Sequence, residues 1–284
     1  RVLFRSAVTA LAADLTSEAH RTKVMAMIGS SIGLVFALSL VGAPLLYGWI
    51  GMSGLFVMTG LLALGAIGLL IKTVPQVPRP ALRSPLPLRD VLFNPDLLRL
   101  NLGIGTLHMI QMAMFVVLPH ALLARGGLVA AEHWKVYLPA VLVSFAFMVP
   151  AIIAAEKRDK MRPIFLGAIV LVALVQGGLL LAAENLWLLA LWLMLFFVAF
   201  NILEATQPSL ISRMAPPHAK GAALGVYNTT QALGLFLGGV IGGVLTKYAG
   251  AGAVWAGGAA LTLLWLVLGL TMVMPPLRRR QGAA

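Results

Sequence analysis

Two ionisable side chains stand inside stretches that are otherwise apolar. Glu204 lies in LFFVAFNILEATQPSLIS, with Asn201 three residues before it and Pro208 four after it on one face of a helix. His108 lies in LGIGTLHMIQMAMF, with Gln111 and Met112 following at helical spacing. A carboxyl group or an imidazole deep in lipid is costly and marks a functional site by default. The chemistry such groups offer is proton uptake and release, and histidine titrates near neutral pH. Each has a second reading. Glu204 could lock a cytoplasmic gate by pairing with Lys160 or another cation of 156–162, and His108 could be a neutral ring hydrogen-bonded between helices. Tyr227, Gln231 and Gly234 make a further stripe, with Asn228 beside it. An unpaired amide at the depth of Gln231 is expensive, so it either bonds to another helix or faces a polar cavity.

The elements that hold these residues follow from composition. Hydrophobic residues make up 60% of the 284, charged residues 11%, and mean hydropathy is +0.96, outside the range of water-soluble domains. A bilayer core of roughly 30 Å needs about 20 apolar residues as helix. Blocks of that kind occur at 24–47, 52–73, 98–122, 136–155, 163–183, 187–212, 221–247 and 253–274, and 7–14 reads as the tail of one more. They are expected to be helices because lipid offers no partner to an open backbone, and the alternating segments of a membrane barrel are absent.

The net charge of +12 is not spread evenly. With loops alternating from side to side, 16 Lys/Arg fall on the side of 15–23, 72–99, 156–162, 213–220 and 275–284, while the other side holds Arg125, Lys135 and Lys247. That bias puts the first side in the cytoplasm and makes the positive charge a mark of membrane orientation, with no nucleic-acid partner expected. TVPQVPRPALRSPLPLRDVLFNP supplies a proline-stiffened cytoplasmic linker at 74–97, between a partial first bundle, 7–73, and a six-span second bundle, 98–274. A basic tail occupies 275–284. A weak repeat relates the two parts. SEAHRTKVMAMIGSSIGLVFALSL carries Gly29 and Gly33 at four-residue spacing, and PPHAKGAALGVYNTTQALGLFLGGVIGG carries Gly234, Gly238 and Gly242. Small residues at that spacing let helices approach closely in lipid. Arg1 to Ser6 read RVLFRS, the translation of CGT GTG CTC TTC CGA TCT from a widely used sequencing adapter. The native reading frame is expected to begin near Ala7, with earlier helices of the first bundle missing.

ADLTSEAHRTKVMAMIG, AAEHWKVYL, LFFVAFNILEATQPSLIS and KGAALGVYNTTQALG together resemble the major facilitator superfamily, in its drug:proton antiporter branch. The resemblance covers nearly the whole chain. It implies an all-α membrane fold of two six-helix bundles around a central cavity, working by alternating access. It implies that helix seven, with His108 and Gln111, lines that cavity, and that Asn201, Tyr227, Asn228 and Gln231 are candidates for substrate contact. It matches Asp14 to an acid that holds the cytoplasmic side shut, with Arg21 nearby as a local partner. An echo of the family's cytoplasmic motif GxxxDRxGRR falls on EKRDKMRP, where Glu156 takes the acidic position and Lys157 and Lys160 basic ones. The family's antiporter motif ends in Gly-Pro, whereas this chain reads Gly42-Ala43-Pro44, which leaves a facilitator or symporter open beside the antiporter.

The reading is therefore a monomeric secondary transporter of the bacterial inner membrane, exporting a small, lipophilic molecule against protons, with linker and C-terminus cytoplasmic. The five His residues show no metal-ligand spacing, and neither GxSxG nor GxxxxGK[ST] occurs, so no cofactor or ATP site is expected. A membrane-embedded transferase would need clustered acids, and the nine Asp/Glu lie mostly at loop edges. Trp134 and Tyr137 are expected in an interfacial belt anchored by Lys135.

Overall fold

The computed structural model describes residues 18–73, 88–158, 160–181, 185–216 and 219–273. Asp14 lies outside them, as do most of the linker, the basic tail, and the side-chain surroundings of Arg21, Gly29, Gly33, Glu156 and Lys157. The described chain is helical, with no strand in it: α1 Glu18–Thr73, α2 Leu88–Leu92, α3 Pro95–Gly126, a 3-10 turn Ala130–Glu132, α4 Trp134–Lys157, α5 Met161–Leu181, α6 Leu186–Met214 and α7 Lys220–Leu270. Six segments are long and apolar enough to cross a membrane.

Eight apolar spans become six helices because α1 and α7 each contain two. Gly51 (φ 65°, ψ −177°) breaks α1, and Gly250 (φ 79°, ψ 172°) breaks α7. A positive φ of this size is open to glycine at little cost and to other residues only with strain. The flanking sequences match: WIGMSGLF around Gly51 and YAGAGAVW around Gly250. In α7 the chain doubles back at the break. The start of α3 meets both limbs, Gly105 lying against Thr230 and Gly103 against Trp265, and Gly257 returns to Leu245.

Capping residues set the other boundaries. Asn94 accepts from the amides of Asp96 and Leu97 at 3.0 and 3.1 Å, Pro95 opens α3, and Gly127 closes it in the left-handed conformation (φ 63°). Asn185 likewise accepts from Trp187 and Leu188 at 2.8 and 3.3 Å at the head of α6. Within the expected linker, α2 begins directly after Pro87 and buries Val91 completely.

α3 is the central rod. Leu97, Leu100, Ile104, Leu107, Leu118 and Leu122 are fully or almost fully buried, and α7 and α6 pack on it. By contrast, no residue of α1 beyond Val41 is buried within the chain, although α1 touches α4 and the 3-10 turn. Tyr137, near the start of α4, is 8% exposed within the chain, and its ring packs between Phe115 and His133. Lys135 stays at the surface in an ion pair with Glu132 at 2.7 Å.

Candidate functional site

Close packing of α7 on α3 comes first, because it fixes the site. A Cβ on Gly234 would strike the Gly105 carbonyl, and one on Gly238 the Met109 carbonyl oxygen; on Gly242 it would stand 2.6 Å from Ala113 Cα. The two helices advance together, Gly105, Met109 and Ala113 facing Gly234, Gly238 and Gly242 in turn. Gly42 differs: among the described residues nothing lies within 4 Å of where its Cβ would be, so no such seam is seen at Gly42 there.

Just before that seam, Gln231 meets His108 and Glu204. The His108 Nδ1 lies 3.1 Å from the Ile104 carbonyl oxygen, one turn back on its own helix. A carbonyl can only accept, so Nδ1 carries the hydrogen, and in the neutral form of the ring Nε2 is left as an acceptor. The Gln231 amide nitrogen lies 2.8 Å from that Nε2 and donates also to Glu204 Oε1 at 3.2 Å. One NH2 group thus bridges two acceptors on two other helices. Glu204 Oε2 stands 3.7 Å from His108 Nε2 and is buried with no hydrogen-bond partner among the described residues. His108 is 4% exposed and the Glu204 side chain 32%. Phe200 sits edge-on to the imidazole with ring centres 5.3 Å apart.

Of the cations of 156–162 offered as partners for Glu204, Lys160 is not seen beside it, and the side chain of Lys157 lies outside the described residues. Among the described residues its partners are Gln231 and His108, and Lys160 lies at the surface without pairing to it. Glu204 is more than two turns from the Met214 end of α6, and the polar groups in contact with it belong to α3 and α7.

The remaining candidates distribute differently. Asn201 donates to Ser144 Oγ at 2.7 Å, and Ser144 donates in turn to the Val141 carbonyl, so Asn201 ties α6 to α4. Gln111 and Asn228 are half-buried beside the site, and Tyr227 is buried.

Two features escaped sequence reasoning. Gln207 is fully buried, and both ends of its amide lack hydrogen-bond partners among the described residues. Asn101, two turns before His108, is 4% exposed with Oδ1 likewise orphaned. Each orphaned group costs about 1–3 kcal/mol unless it is satisfied. Their signal was available, since each is an amide in an apolar helix at three- or seven-residue spacing from an ionisable residue. On the far side of the site the rings of Phe200, Phe196, Phe197, Phe115 and Tyr137 follow one another with centres 5.7–6.3 Å apart.

A bundle of long apolar helices with a histidine, an amide and a carboxyl meeting inside it defines a multi-pass membrane protein with a titratable interior site. The chain matches the family model described as Major Facilitator Superfamily over residues 2–239 and again over 140–284, and it belongs to that family. It is 42% identical over 276 residues to the inner membrane transport protein YajR of Escherichia coli (strain K12), covering 95% of this chain and 61% of that protein. It is 28% identical over 235 residues to the uncharacterized transporter BU466 of Buchnera aphidicola (81% of this chain, 60% of that protein). Multidrug resistance protein MdtH of Aeromonas salmonicida is 27% identical over 192 residues (66% and 46%). The chain thus spans about three-fifths of the length of the first two relatives. Family and names point to transport, not to catalysis.

Proposed function

We propose that the chain carries the coupling site of a secondary transporter that expels a small molecule in exchange for protons, with His108, Gln231 and Glu204 as the proton-exchanging unit. The observation that carries this reading is the Gln231 amide bridging His108 Nε2 and Glu204 Oε1. As drawn by these bonds, both neighbours are acceptors: a neutral imidazole and a carboxylate. Protons arriving at Nε2 and at the carboxylate turn both into donors. The NH2 of Gln231 then faces two hydrogens, and half a turn of its amide replaces NH2 by C=O, which accepts from both. Loading with protons is thereby tied to a side-chain rotation at the α3–α6–α7 junction, a local change that can bias a two-state bundle. Asn201–Ser144 and the glycine seam hold the surrounding helices while the amide turns.

Export of a multidrug kind is supported by the name of MdtH, and placement in the bacterial inner membrane by that of YajR. The excess of Lys/Arg on the side of the linker and tail supports a cytoplasmic position for both. A chain working as a monomer fits this reading, since the site is assembled within one chain.

The test is flux of a fluorescent lipophilic probe from proteoliposomes of the full-length gene product, with and without an imposed pH gradient. Glu204→Gln keeps the shape and removes the titration; gradient-driven flux is expected to fall by about a hundredfold or more, the scale of a lost acid–base group. Gradient-driven flux retained in Glu204→Gln would remove the residue from coupling. Wild-type flux indifferent to the gradient would favour the facilitator.

A further inference from the structure

The surroundings of the His108–Gln231–Glu204 unit are asymmetric along the bundle. α3 and α6 run in opposite directions, since His108 meets Glu204 and Phe200 while Phe115 meets Phe197. Toward the C-terminal end of α3 and the N-terminal end of α6, aromatic rings close over one another. Phe196 and Phe197 are 0% and 2% exposed, and the run continues through Phe115 to Tyr137 and His133. The polar groups on that side are the half-buried Gln111 and the Asn201–Ser144 pair, and the Asn201 amide and the Ser144 hydroxyl are already engaged in hydrogen bonds at 2.7 and 2.6 Å. Toward the other end stand Gln207, one turn beyond Glu204, and Asn101, two turns before His108, each buried with orphaned polar atoms. Glu204 Oε2 is orphaned as well.

Buried amides in native proteins are satisfied by protein or by ordered water, and a polar site with two to four partners is where internal water binds. Residues three apart on a helix are surface neighbours, so water held by Gln207 reaches the neighbourhood of the Glu204 carboxyl. We propose that Gln207, assisted by Asn101, holds the water through which the unit exchanges protons toward the Met214 end of α6, while the Phe200–Phe196–Phe197–Phe115 rings seal the opposite end. Gln207 is a positioning residue: it binds no substrate and acts through water on Glu204. This rests on the coupling role of Glu204 and adds to it the route and the side from which protons arrive.

The test follows proton exchange at the carboxyl directly. The full chain in lipid nanodiscs is subjected to a pH jump, and time-resolved infrared absorption follows the protonated-carboxyl band that Glu204→Gln removes. Gln207→Leu is expected to slow the appearance of that band about tenfold, the effect of one lost hydrogen-bonded step, while leaving its final amplitude unchanged. Gln207→Met serves in the same way should the leucine variant fail to fold, and Gln207→Asn, which keeps an amide, is expected to recover part of the rate. Gln176, equally buried on α5 with an orphaned Nε2, supplies the control: Gln176→Leu should exchange at the wild-type rate. Wild-type kinetics in both Gln207→Leu and Gln207→Met, or equal slowing in Gln176→Leu, would overturn the route and leave the coupling role of Glu204 standing. A carboxyl band unchanged in Glu204→Gln would overturn both.

Discussion

On α3 and α7 a seam without polar side chains and a site made of them lie within one turn of each other. Along the seam, Gly234, Gly238 and Gly242 bring backbone against backbone, with no room for a single added carbon. At the site, Gln231 reaches across with a long side chain whose bonds can be remade, and Glu204 keeps a third of its surface open. The difference teaches how a rigid bundle can hold a movable part. Steric contact fixes where Gln231 begins, and hydrogen bonding decides which way its amide turns.

The comparison can be broken most severely at the seam. Gly238→Leu places a side chain where the Met109 carbonyl stands and is expected to cost about 3 kcal/mol or more, read as a large fall in unfolding temperature in detergent. The site should be lost with it. Next comes Gln231→Leu, which leaves the seam intact and removes the shared donor. His108 Nε2 and Glu204 Oε1 then both lose that donor, at about 1–3 kcal/mol each, and the pH dependence of flux should change while the chain still inserts and folds. Asn201→Ala removes the bond to Ser144 and should cost about 1 kcal/mol in unfolding measurements without altering that pH dependence. The smallest effect sharpens the contrast from outside the seam. Gly239, next to Gly238 but with nothing within 4 Å, should accept alanine and gain about 0.5 kcal/mol of helix stability.

Much of this was legible in the residues themselves. Long apolar blocks announce membrane helices: among the described residues seven of the eight expected spans lie within the observed helices, and the eighth, 253–274, runs past the end of α7 at Leu270. The four-residue spacing of Gly234, Gly238 and Gly242 announces a seam because that periodicity is a property of one helix alone. Its partner, Gly105-Met109-Ala113, carries a single glycine and no such mark. The two breaks were read as loops because Gly51 and Gly250 replace a loop with one residue of positive φ. His108, Gln231 and Glu204 each stand out singly, as polar groups in apolar helices. That they meet depends on how three helices rotate against one another, and sequence separations of 123 and 27 residues contain nothing about that rotation. For the same reason the sequence offers Lys160 or another cation of 156–162 as a partner for Glu204, and does not single out Gln231. That the Tyr137 ring packs between Phe115 and His133 was likewise not legible, because Phe115 belongs to another helix, α3.

The central claim is that His108 and Glu204 titrate as one unit through Gln231. It is tested most directly by following the nitrogen resonances of His108 against pH in the full chain in nanodiscs, in the wild type and in Glu204→Gln. Coupling predicts that Nδ1 keeps its hydrogen throughout, that the change occurs at Nε2, and that the Glu204→Gln curve is displaced from the wild type. Superimposable curves, or a hydrogen that leaves Nδ1, would contradict it.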